Sequence, residues 1–187
     1  PIIHSFEPNK NVYDIMYSKF GKDEKVFCNN FALGNKIEER NFNITEKTGK
    51  SSFYNLNTSE EWVKNRNKRY TTYITSKQKV KILTIDDYCN KKGINEIDLL
   101  KMDTQGYEEK ILEGGENSLK KNKIKFVIAE IIFNDYYDKY FLFSDIEKHL
   151  VPNNFRLVGM EINNNNIFQG TLFGANVYYM NKEFIDI

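Results

Sequence analysis

Apolar and polar positions over the first 34 residues alternate between patterns typical of strands and of a helix. Residues 2–6 predict a short buried strand, which ends at Pro8 because proline cannot continue a strand ladder. Asn9 predicts the start of a helix with one apolar face, and Gly21 predicts its end. A second strand is predicted over 25–33, so the chain opens with a βαβ unit.

Residues 38–83 follow a different pattern, in which β-prone residues are separated by Gly49 and several asparagines. The β-prone segments are 42–45, 51–56 and 70–83. We expect short antiparallel strands there. A brief helix is expected from Trp62, because residues 58–61 have the pattern of a capping box. This stretch is therefore predicted to be a β-rich insertion.

Strands and helices alternate again from residue 84 onwards. The predicted strands are 97–102, 124–132, 155–162 and 171–180. The predicted helices are 85–92, 107–121 with a candidate break at 114–115, and one opened by a capping box at 144–147. The apolar run at 124–132 is typical of a strand covered on both faces of a parallel sheet. The short loop at 163–166 leaves no room for a crossover helix, so the last two strands are expected to pair antiparallel at one edge.

Composition narrows the class of protein. The 187 residues are 40% hydrophobic, which is too apolar for a disordered chain, and their length suits one domain with a core. The net charge of +1 indicates no general affinity for nucleic acid or an anionic membrane surface. Two cysteines, Cys28 and Cys89, are too few for a disulfide framework or a closed zinc site. We expect a soluble cytoplasmic α/β domain spanning residues 1–187.

Candidate chemistry lies where predicted strands end in carboxylates. In open α/β sheets, ligands bind outside the carboxyl ends of the strands, and Glu7, Asp103 and Glu130 follow predicted strands. Glu7 suits the hydroxyls of a nucleotide ribose, or it is a carboxylate favoured by the N-terminus of the next helix. Gly106 would allow a tight turn after Asp103, and Glu108 would lie in the first helical turn. An ordinary strand-to-helix turn explains those acids equally well.

The longer phrase around this turn resembles a known family. Residues 97–108 read IDLLKMDTQGYE and 111–114 read ILEG, a combination similar to the FkbM family of S-adenosylmethionine-dependent methyltransferases. Further similar segments follow the family's order: FEP at 6–8, NFALG at 30–34, VKILTIDDY at 80–88, the strand ending in Glu130, and FRLVG at 155–159. The resemblance implies a Rossmann-like methyltransferase sheet, mostly parallel, with an antiparallel C-terminal strand pair.

The resemblance also implies an activity: transfer of a methyl group from S-adenosylmethionine to an oxygen of a small-molecule or glycan acceptor, with a sugar hydroxyl as the expected target. It assigns cofactor binding to Glu7, Asn30, Ala32, Leu33 and Asp103. It assigns catalysis to three carboxylates: Asp103 would face both cofactor and acceptor, Glu130 would bind acceptor hydroxyls or assist the base, and Glu108 would orient the turn. Two carboxylates are a weak metal signal, so no metal is predicted. No nucleic-acid or membrane partner is expected.

One departure from the family is important. Methyltransferases of this class begin with a strand and a Gly-rich loop that holds the cofactor, and the 187 residues contain no such element. We therefore expect a domain that is incomplete at its N-terminus by roughly one βα unit, on the order of 30 residues. Such a fragment would bind cofactor poorly. The alternatives are a dinucleotide-dependent Rossmann-type enzyme and a non-catalytic, methyltransferase-like binding module.

Two further clusters carry alternative interpretations. A basic group with aromatic neighbours is formed by Lys64, Arg66, Lys68, Arg69, Trp62 and Tyr70. A solvated loop is favoured for this group over contact with an anionic sugar or phosphate group on the acceptor. Three tyrosines, Tyr136, Tyr137 and Tyr140, suit an acceptor groove and ordinary packing equally well.

Overall fold

The computed structural model describes residues 1–139, 142–163 and 172–185, which fold into mixed α/β structure with three small sheets. The strands are β1 (Ile3–Phe6), β2 (Val26–Asn29), β3 (Ala32–Leu33), β4 (Glu38–Thr45), β5 (Ile74–Leu83), β6 (Ile97–Met102), β7 (Ile124–Ile132), β8 (Phe155–Asn163) and β9 (Gly174–Asn181). The α-helices are α1 (Lys10–Phe20), α2 (Glu61–Tyr70), α3 (Ile85–Lys92), α4 (Glu108–Glu113), α5 (Glu116–Lys120) and α6 (Phe143–Leu150). Among these described helices, none is long and apolar enough to span a membrane.

The first sheet confirms the predicted βαβ unit but corrects its burial. β1 and β2 pair in parallel, with Ile3 opposite Val26, and α1 connects them. Asn9 caps α1 as predicted, since its side-chain oxygen accepts a hydrogen bond from the Asn11 N–H. The prediction of a buried β1 was wrong: Ile3 is 50% exposed and α1 buries no residue. The physical reason is that β1 pairs only with β2 within the described residues.

The second sheet contains the predicted insertion. β4 and β5 pair antiparallel from Glu38 opposite Ile82 onwards, and β3 joins β5 in parallel. The strand predicted over 25–33 is thus two strands in two different sheets. The strand predicted over 51–56 was wrong, because that segment forms only isolated bridges at Ser52 and Leu56. The helix α2 is present, but no side chain caps its N-terminus, so the capping box at 58–61 was also wrong.

The third sheet has the strand order β6-β7-β9-β8. β6 and β7 are parallel, and β9 runs antiparallel to both β7 and β8. The predicted antiparallel C-terminal pair is confirmed. The expectation of one mostly parallel sheet was wrong, because antiparallel pairs equal parallel pairs across the described strands. The loop at 163–166 and the start of the last predicted strand lie largely outside the described residues.

The helices after β6 follow the sequence pattern with one correction. The predicted helix at 107–121 breaks at Gly114, giving α4 and α5. The predicted capping box at 144–147 was displaced, because α6 begins at Phe143 and the Asp145 carboxylate accepts the Leu142 N–H at 2.7 Å. Gly114 also has a packing role, since a Cβ there would lie 2.0 Å from the Gly34 carbonyl oxygen. This close approach packs the α4–α5 junction against the end of β3.

Candidate active site

The register of the third sheet places two carboxylates side by side. Met102 of β6 lies opposite Ala129 of β7, and both side chains are buried. Because the strands are parallel, the next residues, Asp103 and Glu130, emerge together at the carboxyl edge of the sheet. Asp103 is exposed and Glu130 is half-buried. The sequence prediction that these two residues share one site is consistent with this arrangement.

Gln105 joins the two carboxylates. Its side-chain amide donates to Asp103 Oδ1 at 2.9 Å and to Glu130 Oε2 at 2.6 Å. The backbone of Gln105 has a φ of 55°, a left-handed conformation that is uncommon for a residue other than glycine, asparagine or aspartate. The next residue, Gly106, has a φ of 98° that only glycine adopts readily. This unusual turn aims the buried Gln105 amide at both carboxylates.

The other side of the Gln105 amide is held by two residues from distant elements. Its carbonyl oxygen accepts hydrogen bonds from Lys50 Nζ and from the Tyr137 hydroxyl, each at 3.1 Å. The same hydroxyl lies 3.2 Å from the Lys50 backbone oxygen. Ser52 donates its hydroxyl to the Gln105 backbone oxygen at 2.8 Å. The segment between β4 and α2 is therefore fixed onto the turn after β6.

The electrostatic surroundings of Glu130 shift its pKa. Burial raises the pKa of Glu130, and the negative charge of nearby Asp103 raises it further. The positive charge of Lys50 and the hydrogen bond from Gln105 oppose that shift. Burial lowers the pKa of Lys50, an effect that the negative charge of Glu130 counteracts. Burial and the charge of Asp103 therefore favour the neutral form of Glu130, while Lys50 and Gln105 favour its ionised form.

Glu108 lies beneath the turn and is fully buried. Its two carboxylate oxygens accept the backbone N–H groups of Thr104 at 2.6 Å and Gly106 at 3.0 Å. Burial raises the pKa of Glu108 to about 7, although those hydrogen bonds act in the opposite direction. These contacts match the predicted role of orienting the turn. A direct part in catalysis remains a prediction.

The residues predicted to bind cofactor form a second group, at the carboxyl end of β1. Glu7 Oε1 accepts the Asn9 N–H at 2.8 Å, and burial raises the pKa of this carboxyl. The Asn30 side chain donates to the Glu7 backbone oxygen at 2.9 Å and so supports the turn. The side chains of Ala32 and Leu33 are buried in the core, which leaves only their backbone for a ligand. In the described part of the chain, no hydrogen bond links this group to the carboxylate pair.

Three basic side chains of α2, Lys64, Lys68 and Arg69, are exposed as the favoured solvated interpretation expects, although they lie on a helix and not a loop; Arg66 departs from it. The Arg66 guanidinium lies 4.8 Å from the Tyr136 ring and 4.7 Å from the Phe173 ring, rather than in solvent. Tyr136 and Tyr137 are buried side chains. Tyr140 lies outside the described residues. Packing therefore accounts for Tyr136, while Tyr137 belongs to the site through Gln105.

A separate cluster has the donor atoms for a metal ion. Ligand atoms of Glu109, Glu113 and His149 lie within 4.8 Å of one another on α4 and α6. Lys148 bonds to Glu109, and Lys110 bonds to Glu113 at 2.6 Å. Because these ammonium groups already balance the carboxylates, the cluster is explained as an ion-pair network that joins α4 to α6.

Comparison with known proteins identifies the class of domain. Residues 1–157 match the family model described as the methyltransferase FkbM domain. The chain belongs to the FkbM methyltransferase family. The resemblance read from residues 97–114 is thereby confirmed.

Two similar proteins show how much of its relatives' length the chain spans. It is 24% identical over 134 residues to the 2-O-methyltransferase NoeI of Sinorhizobium fredii (strain NBRC 101917 / NGR234), which covers 71% of this chain and 54% of that protein. It is similar in fold to the crystal structure of methyltransferase FkbM from Methylobacillus flagellatus KT, with a TM-score of 0.51 and 11% identity. That similarity covers 95% of this chain and 36% of the other. The chain therefore spans about half, or less, of these relatives.

Two members of the candidate site were not assigned a role from the sequence. Gln105 lies inside the predicted turn, but a neutral amide side chain did not by itself indicate a functional role. Lys50 lies in the β-rich segment, 53 residues before Asp103 in the printed sequence, with no motif around it. Its segment is held at the turn after β6 by long-range contacts, the Asn43–Ser52 bridge and the hydrogen bond from Ser52 to Gln105.

Proposed function

We propose that this FkbM domain transfers a methyl group from S-adenosylmethionine to a hydroxyl oxygen of a sugar or glycan. The observation that carries the proposal is the Asp103–Glu130 carboxylate pair, joined by Gln105 at the carboxyl edge of a parallel strand pair. Its position is where open α/β sheets bind their ligands. One exposed and one half-buried carboxylate suit the binding of a hydroxyl and the removal of its proton.

The proposed chemistry requires a base and good alignment. A new bond forms between the acceptor oxygen and the methyl carbon while the carbon–sulfur bond breaks, and that electron pair leaves with sulfur. The leaving group is a neutral thioether, so no acid has to protonate it. The hydroxyl proton passes to Asp103, and the hydrogen bond from the Gln105 amide holds that carboxylate in place.

Glu7 supports the assignment of S-adenosylmethionine. It follows the parallel strand β1, and its carboxylate uses Oε1 to accept the Asn9 N–H. Within the described residues Oε2 accepts no hydrogen bond, so it remains available for a ribose hydroxyl. The turn that carries Glu7 is held by Asn30 and by Gln78, which donates to the Pro8 backbone oxygen at 3.0 Å.

Two observations support the acceptor class. The NoeI relative is named a 2-O-methyltransferase, which indicates transfer to oxygen in that protein. Beside the turn, the partly exposed Tyr54 ring lies 5.7 Å from the Tyr107 ring, centroid to centroid, and approaches Gly106. Burial raises the pKa of Tyr54 to about 12, so its ring and neutral hydroxyl could pack against a sugar.

Calorimetric titration of the full-length protein with S-adenosylmethionine, S-adenosylhomocysteine and NAD tests the cofactor. We expect binding of the first two, weakened roughly 10- to 100-fold by Glu7→Ala because a charged hydrogen bond is lost. The exposed Glu24→Ala is the matched control. Tight binding of NAD alone would favour the dinucleotide enzyme, and binding of none would favour the non-catalytic module. Mass spectrometry of sugar acceptors incubated with the protein and S-adenosylmethionine should then detect added methyl groups.

A further inference from the structure

Lys50 is a positively charged side chain hydrogen-bonded to Gln105 of the proposed site, yet it belongs to no strand-end motif. It ends a short 3-10 turn at Thr48–Lys50, between β4 and α2. Its Nζ bonds to Gln105 Oε1, the opposite end of the amide that donates to Asp103 and Glu130. In the part of the chain that the structure describes, Lys50 makes no ion pair within 4.0 Å. Its charge therefore reaches both carboxylates through space and through one shared amide.

We propose that Lys50 is a positioning residue of the methyl-transfer site. Its ammonium group orients Gln105 and keeps one carboxylate of the Asp103–Glu130 pair ionised, ready to accept the acceptor's hydroxyl proton. This inference rests on the proposed function for its catalytic meaning. The effect of Lys50 on the ionisation of the two carboxylates follows from the contacts of Lys50 and does not depend on that function.

The charges around this pair explain why a cation is needed. Two neighbouring carboxylates resist being ionised together, because each negative charge disfavours the other. The charged and titratable groups facing Lys50 and the pair are Asp103 from the turn after β6, Glu130 from β7, Glu108 from α4, Arg66 from α2 and Tyr137 after β7. Tyr137 is neutral, since burial raises its pKa well above the ordinary value. Arg66 is engaged with aromatic rings, which leaves Lys50 as the cation hydrogen-bonded to the site.

The tethering of Lys50 supports a positioning role rather than a chance surface charge. The Tyr137 hydroxyl lies within hydrogen-bond distance of both the Lys50 backbone oxygen and Gln105 Oε1, and its one hydrogen can be donated to either. Ser52, two residues later, bonds the Gln105 backbone. By contrast, Lys47 in the same segment is exposed, and its Nζ lies 5.4 Å from the centre of the Tyr70 ring. Lys47 is therefore the natural control.

Carbon-13 NMR of the side-chain carboxyls in the full-length protein tests the electrostatic part directly. Signals are assigned by comparison with Glu130→Gln. Lys50→Met should raise the apparent pKa of the Glu130 titration by about 1 unit, because an opposite charge is removed. Lys50→Arg should restore most of the wild-type titration, and Lys47→Met should leave it unchanged. A Glu130 titration that Lys50→Met does not move would overturn the proposal.

The pH dependence of methyl transfer tests the catalytic part. In Lys50→Met the acid limb of kcat/KM should move to higher pH by a similar shift of about 1 unit, with the affinity for S-adenosylmethionine unchanged. A lower rate with an unshifted profile would mean a purely structural role and would contradict the inference. If the wild-type protein transfers no methyl group, the proposed function fails, while the NMR titration still decides whether Lys50 controls the carboxylate pair.

Discussion

The carboxylate of Glu108 accepts the backbone N–H of Thr104 at 2.6 Å, from a position with no exposure to solvent. Its second oxygen accepts the Gly106 N–H. The turn that presents Asp103 and Gln105 is thus held from below by a buried acid. Because this acid is titratable, the free energy of unfolding is expected to depend on pH.

Glu108→Gln is expected to destabilise the protein by about 1–3 kcal/mol at low pH. The hydroxyl oxygen of a neutral carboxyl can still accept an N–H, whereas the amide nitrogen of glutamine cannot, so one backbone donor loses its partner. In the wild type, burial raises the pKa of Glu108 from 4.5 to about 7, so its contribution is full below pH 4.5 and is lost as the pH rises through 7. The difference in the free energy of unfolding between wild type and Glu108→Gln should therefore narrow over that pH range. Urea unfolding at about pH 5 and about pH 8 measures both effects.

The control for this experiment is Glu116→Gln. The Glu116 side chain is 61% exposed and pairs with Lys120 on the surface of α5. Its replacement should change the free energy of unfolding by no more than about 0.5 kcal/mol at either pH. A Glu108→Gln gap that stays constant with pH would show that Glu108 does not titrate in this range.

The strand-end part of the site was readable from the sequence because it depends on local rules. Residues 97–102 and 124–132 carry apolar patterns that match β6 and β7 at both ends. Asp103 directly follows the first pattern and Glu130 lies near the carboxyl end of the second, so both are expected at the sheet edge. Neither the register that pairs Met102 with Ala129 nor the amide bridge of Gln105 has any local signal. Both follow from tertiary packing.

The segment that follows Lys50 shows that β-propensity alone does not predict a strand. Residues 51–56 are β-prone, yet they form no strand. The backbone of Ser52 makes a single bridge to Asn43, and its hydroxyl donates to the Gln105 backbone oxygen. β-propensity describes side chains that suit a half-buried pleat, and tertiary partners decide whether a strand forms. The same limit applies to β1, whose apolar sequence predicted burial. Ile3 stays half exposed because burial requires a neighbour on each face and edge.

Gly114→Ala is expected to destabilise the fold by about 2–3 kcal/mol, because the added methyl group overlaps a carbonyl that cannot move freely. The Cβ would lie 2.0 Å from the oxygen and 2.9 Å from the carbon of Gly34. Thermal unfolding followed by circular dichroism measures the loss. Gly49→Ala serves as the matched control, since a Cβ there meets nothing within 4 Å. Equal melting temperatures for the two variants would contradict the close packing of β3 against the α4–α5 junction.

Gln105→Ala isolates the amide that joins the two carboxylates. Alanine and glutamine face the same backbone constraint at a φ of 55°, so the substitution chiefly removes the side-chain bridge. If the proposed function holds, the rate of methyl transfer should fall roughly 100-fold, because the base loses its orienting hydrogen bond. The affinity for S-adenosylmethionine should stay within about three-fold, since the substitution removes no hydrogen bond to the residues around Glu7.

Asn90→Ala, at an exposed position on α3, is the control for Gln105→Ala and should leave the rate unchanged. Thermal unfolding of Gln105→Ala excludes loss of the fold as the cause. A full rate in a folded Gln105→Ala protein would mean that the carboxylates are oriented without the amide.

Asp103→Asn should reduce methyl transfer by about 100- to 10,000-fold while the protein stays folded, because an amide cannot accept the acceptor's proton. The fold should tolerate the change, since Asp103 is exposed and its contact to Gln105 can be kept by the asparagine oxygen. Asp98→Asn, on the same strand and 85% exposed, is the matched control and should retain full activity. The measurement is the initial rate at saturating S-adenosylmethionine, with melting temperature and cofactor affinity determined in parallel. If Asp103→Asn retains a rate within about three-fold of wild type, the proton passes to another group, and Glu130, bonded to the same Gln105 amide, becomes the residue to replace next.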